Sequence, residues 1–128
     1  MIVLDASAAV ELVTDTDIGA EVARRLLGES VQVPTHCDLE VGSALRRAVH
    51  RRQLSERDAR LALDAYLIAA SARWDIRQLL ERAWQLLHHI AIADALYVAL
   101  AERLDAPLVT CDARLASAHG HDATVELV

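Results

Sequence analysis

The chain predicts an α/β fold with a central, mainly parallel sheet. Short apolar runs alternate with segments of helical spacing, and the junctions between them carry acids, as in Ile2-Val3-Leu4-Asp5 and Leu108-Val109-Thr110-Cys111-Asp112. In such sheets ligands bind beyond the carboxyl ends of the strands, where Asp5 and Asp112 fall. A length of 128 residues, 54% of them apolar, predicts one domain spanning 1–128 that buries a core without disulfides or structural metal.

The elements follow in order. Val3-Leu4 continues an all-apolar start that reads as a buried strand, and Ala6 to Val13 has the spacing of a short helix. Thr14 to Asp17 is a polar break. From Asp17 to Leu27 the positions Ile18, Val22, Leu26 and Leu27 mark an amphipathic helix closed by Gly28. Val31 to Val33 is a second strand, stopped by Pro34. Thr35 and Asp38 form a variant capping box that opens a helix from His36 to about Arg52. Ser55 and Asp58 repeat the device, and their helix is expected to bury Ala59, Leu63, Tyr66, Leu67 and Ala70. Ser71 to Asp75 has no assignment. Ile76, Leu79, Leu80, Ala83 and Leu87 have helical spacing, as do Leu96, Leu100 and Leu104 in a helix from Ala93 to Leu104. Leu108 to Cys111 is a third strand, Asp112 to His119 a short helix, and Thr124 to Val128 a last strand.

Composition excludes several chemistries. All 13 basic residues are Arg, so a Lys-dependent P-loop or Schiff base cannot exist here. The same absence argues against phosphoryl-transfer domains of the receiver or dehalogenase type, which neutralise phosphate with Lys. No apolar stretch approaches the roughly 18 residues of a membrane helix, so the expectation is a cytoplasmic protein with no membrane partner. Cys37 and Cys111 lack the paired spacing of a zinc or redox site and read as reduced thiols. The six His residues have no metal-site spacing either.

Four carboxylates stand out: Asp5, Glu40, Asp94 and Asp112. Asp5 and Asp112 taken singly are ordinary helix N-caps. Glu40 lies beyond the first turn of its helix, and its i+3 and i+4 neighbours, Ser43 and Ala44, offer it no ion pair. Asp94, with Tyr97 and Val98 in those places, has none either. Asp58, Glu81, Glu102 and Asp105 read as cap, surface and turn residues. A fold that gathers several carboxylates in one cleft must supply a cation, and oxygen-only ligands favour magnesium or manganese. Thr110 and Ser7, each two residues from an aspartate, are candidates to brace the acids or a bound water, or are turn residues. Glu40, Arg47 and Arg51 share one side of their helix, which would extend an acidic site into a phosphate-gripping stripe. The alternative for the two arginines is a solvated face.

Together these acids and their contexts resemble the PIN-domain ribonucleases, and most closely the VapC-like toxins of type II toxin–antitoxin pairs. The resemblance spans essentially the whole chain. It rests on Leu4-Asp5-Ala6-Ser7, on Glu40 in the helix after Pro34, on Asp94-Ala95-Leu96-Tyr97-Val98-Ala99, and on Leu108-Val109-Thr110-Cys111-Asp112-Ala113-Arg114-Leu115. It implies a three-layer α/β/α domain and a magnesium-dependent ribonuclease, with manganese as a second candidate, in which Asp5, Glu40, Asp94 and Asp112 bind metal and catalyse. It also implies an RNA substrate, a homodimer, and inhibition by a cognate VapB-like antitoxin. Family members often carry an Asn and a Thr or Ser shortly before the third acid, with an aromatic residue directly ahead of it. Here that segment is His89-Ile90-Ala91-Ile92-Ala93. The competing function is a catalytically silent domain of the same fold that binds metal or protein.

Overall fold

The computed structural model describes every residue from Met1 to Val128. Five strands form one sheet in the order β3-β2-β1-β4-β5, parallel throughout. They are β1 (Ile2–Leu4), β2 (Val31–Pro34), β3 (Ala72–Trp74), β4 (Leu108–Thr110) and β5 (Val125–Leu127). Seven helices connect them: α1 (Ala6–Val13), α2 (Asp17–Arg25), α3 (His36–His50), α4 (Glu56–Ala69), α5 (Leu80–Gln85), α6 (Ile92–Leu104) and α7 (Ala113–Ala116). No helix is long and apolar enough to cross a membrane.

The layers follow from chain direction. Two successive crossovers carry the chain from β1 to β2 and on to β3 in one direction. The connection through α5 and α6 then returns it past β1 to β4. Crossovers between parallel strands are right-handed, so reversing direction moves the connecting helices to the opposite face of the sheet. Accordingly α1 to α4 pack on one another and α5 packs on α6. The sheet is the middle layer of three. Helix α6 is apolar all round and buried without a break from Ala95 to Ala101, as expected of a helix pressed on a sheet. Ile2, Val3 and Leu4 of the central strand are likewise fully buried.

Several local expectations need correction. Thr35 has helical backbone angles and makes no side-chain cap, so the proposed capping box is absent. Asp38 instead accepts hydrogen bonds from the Tyr66 hydroxyl and the Arg73 guanidinium, and a charged bond of that kind outcompetes a cap to a backbone amide. Ser55 does cap α4, accepting the Asp58 amide. Pro34 belongs to β2 rather than ending it. α2 closes at Arg25, with Gly28 at a positive φ of 78° in the turn beyond. In α4 the buried face is Ala59, Ala62 and Tyr66, with Ala70 buried at the C-cap, while Leu63 is only half-buried and Leu67 is 47% exposed. The unassigned segment before Asp75 is the edge strand β3, so Leu108 opens the fourth strand. Glu102 is no free surface acid: its carboxylate grips Arg82 and accepts the Asp122 amide.

Candidate active site

The strand order reverses between β1 and β4, and the crevice beyond their carboxyl ends is where such sheets place ligands. Asp5 closes β1 and caps α1, accepting the Ala8 amide. Asp112 follows β4 and caps α7, accepting the Arg114 amide. Glu40 comes from the second turn of α3 and Asp94 from the first turn of α6. All four line one cavity of about 660 Å³, together with Ser7, Glu11, Arg47, Tyr97 and Cys111 among others. The cap role and the cleft role are therefore compatible, because a cap aims a carboxylate at the open end of a strand.

Asp5 is held most firmly. It is 5% exposed. Its Oδ1 accepts the Ser7 hydroxyl at 2.6 Å and the Ala8 amide at 3.0 Å, and its Oδ2 accepts the Thr110 hydroxyl at 2.6 Å. Each hydroxyl in turn accepts a backbone amide, Cys111 on Ser7 and Asp112 on Thr110. Ser7 and Thr110 thus stitch the end of β1 to the end of β4 and leave Asp5 no rotational freedom. A carboxylate offers about four acceptor positions, so roughly one remains for a ligand.

Glu40 and Asp94 are less satisfied. Asp94 is pushed above the ordinary Asp range, first by burial and then by the neighbouring charges of Asp112, Asp5 and Glu40, which Arg114 offsets only in part. Asp112 moves the opposite way, because the Arg114 guanidinium beside it favours the ionised form. Glu40 accepts the Tyr97 hydroxyl and lies 3.7 Å from His36 Nε2. No three of the chain's His, Cys, Asp and Glu side chains stand at the spacing of a formed ion cage. Carboxylates of like sign keep apart, and Asp112 leans on Arg114 instead. The donor set is nonetheless anionic and all oxygen, which suits a hard divalent cation.

Of the arginine stripe, Arg47 lines the cavity and Arg51 does not. Arg51 is an exposed residue just past the end of α3, where the helical register that aligned it with Glu40 has stopped. Three residues went unread in the sequence. Arg114 had a signal, since it sits two places after a capping aspartate. Tyr97 was visible only as a neighbour of Asp94 in the chain. His36 meets Glu40 one turn on, and its role depends on contacts with α6 that spacing does not reveal.

A PIN domain model matches residues 2–120. Ribonuclease VapC12 of Mycobacterium tuberculosis is 51% identical over 128 residues, covering 100% of this chain and 99% of that protein. Ribonuclease VapC1 of the same organism is 46% identical, covering 98% of this chain and 96% of its own length. Among solved structures, the sarcin-ricin-loop-cleaving toxin VapC20 of Mycobacterium tuberculosis superimposes with a TM-score of 0.69 at 18% identity, covering 95% of this chain and 97% of that one. VapBC2 of Rickettsia felis, bound to a DNA fragment from its promoter, gives 0.70 at 15% identity, covering 100% and 99%. These two likenesses speak to the fold. The chain belongs to the PIN-domain family, within its VapC ribonucleases.

Proposed function

We propose that this protein is the toxin of a toxin–antitoxin pair and cleaves RNA by hydrolysis at the four-acid cleft, using magnesium or manganese. The observation that carries the reading is the convergence of Asp5, Glu40, Asp94 and Asp112 on one cavity from four separate elements. Full-length identity to named VapC ribonucleases supports the activity, and the Rickettsia felis neighbour, a VapBC pair, supports an antitoxin partner. In this reading the chain acts in the cytoplasm as a homodimer.

Asp5, Asp94 and Asp112 would hold the cation, and Glu40 would orient water or help hold a second ion. A divalent ion there supplies a Lewis acid that lowers the pKa of water and stabilises charge developing on the phosphodiester. Asp5, fixed by Ser7, Thr110 and the Ala8 amide, keeps its geometry through the reaction because its rotamer is locked. Burial and the neighbouring acids raise the pKa of Asp94, and a cation facing it would oppose that shift by favouring the ionised carboxylate. Arg47, on the cavity wall, is placed to grip a phosphate of the RNA.

The test is RNA cleavage by purified Asp5→Asn and Asp94→Asn proteins whose circular dichroism matches the parent. Losing several kcal/mol of charge stabilisation lowers the rate by at least about 100-fold. Magnesium-dependent cleavage at the parent rate by either variant overturns the assignment. Metal binding by the parent without any turnover places it instead with silent domains of this fold.

A further inference from the structure

We infer that Tyr97 is a positioning residue for Glu40, acting through a hydrogen bond beneath the cleft. The inference rests on the reading of Glu40 as part of the site. Tyr97 is 1% exposed, in the stretch of α6 from Ala95 to Ala101 that is otherwise Ala, Leu and Val. Its hydroxyl is the one polar side-chain atom there. A buried phenol needs a partner, and this one donates to Glu40 Oε2 at 2.5 Å.

Two further contacts fix the geometry. The His36 ring lies against the Tyr97 ring, centroids 4.7 Å apart and planes tilted by 50°. His36 Nε2 is 2.9 Å from the Ala93 carbonyl, which can only accept, so that nitrogen carries the proton. His36 therefore ties the first turn of α3 to the residue before Asp94. Tyr97 lies one turn beyond Asp94 on the same rigid helix. The clamp consequently sets the separation of Glu40 from Asp94, two acids that no strand joins. Without the hydroxyl, the flexible Glu40 side chain would sample rotamers turned away from the cleft.

The experiment is Tyr97→Phe, which keeps the ring that packs and removes the one atom that bonds Glu40. Calorimetric titration with manganese should show roughly tenfold weaker binding. RNA cleavage should show kcat reduced by a similar factor and KM for RNA unchanged. In a Glu40→Gln background the same substitution should cost nothing more, since the two residues act as one unit. Parent-like manganese affinity and kcat in Tyr97→Phe, where Glu40→Gln has impaired both, overturn the inference and leave the site reading standing. A lowered melting midpoint with parent-like affinity and kcat marks the phenol as packing only and overturns it equally. Should Glu40→Gln itself change neither quantity, the role of Glu40 fails and the inference with it.

Discussion

The two ends of the sheet each carry a cavity of similar size ringed by four or more acids, and they differ in how those acids are answered. At the amino end, Glu102, Asp105, Asp122 and Glu126 line a cavity of about 680 Å³. There Glu102 is bound by Arg82 and by the Asp122 amide, and Glu126 by Arg25 through two bonds. Hydrogen bonding to Arg82 holds Glu102 below the ordinary Glu range. At the carboxyl end, Asp94 is half-buried among three acids, is only partly offset by Arg114, and is pushed upward. A count of acids does not distinguish the two ends. Unrelieved repulsion at Asp94 does, because it stores free energy that a cation releases, whereas Glu102 and Glu126 already hold arginine partners.

The two ends should differ most visibly in activity. Asp94→Asn should abolish RNA cleavage to within the limits given above, while Glu102→Gln should leave the rate per folded molecule unchanged in the same gel assay. Equal losses would mean that the amino end is part of the site. Stability should respond with opposite signs. Asp94 has a higher pKa folded than unfolded, so the folded protein binds the extra proton. Its contribution therefore worsens as pH rises from the ordinary 3.8 through the raised folded value. Asp94→Asn should consequently unfold at higher urea than the parent at pH 7 without divalent ions, a gain that vanishes in acid. Glu102 has a lower pKa folded, so its contribution is present above the ordinary 4.5 and lost as pH falls through the folded value. Glu102→Gln should cost about 1 kcal/mol at pH 7, the scale of a charged hydrogen bond to a partly exposed arginine, and nothing in acid. Urea midpoints at several pH values check both signs, and a destabilised Asp94→Asn at neutral pH would contradict the account. The smallest effect separates two arginines. Arg47→Ala should reduce the slope of log RNA affinity against log salt by about one. Arg51→Ala, outside the cavity, should change it less, as binding titrations across a salt series would register.

Much of this was legible in the residues, and the failures have physical causes. α1 was readable from the helical spacing of its apolar positions, and α6 because a mostly apolar segment of 13 residues is too long for a buried strand. The four acids were readable because Asp5 and Asp112 end apolar strands and because Glu40 and Asp94 had no local partner to explain them. β3 was not, since its three residues lie at the sheet edge with Arg73 exposed, so neither length nor alternation marks a strand. Thr35 and Asp38 misled because a capping box is a local pattern, and Asp38 is claimed by Tyr66 and Arg73 from 28 and 35 residues away. Tyr97 was hidden for the same reason, its bond to Glu40 spanning 57 residues. Sequence spacing reveals which groups lack a near partner; only the fold supplies the distant one.

The most direct measurement is anomalous diffraction from crystals soaked in manganese. The strongest peak should lie in the cleft beside Asp5, Asp94 and Asp112, with Arg114 displaced from Asp112. A manganese peak among Glu102, Asp122 and Glu126 with none in the cleft would contradict that placement.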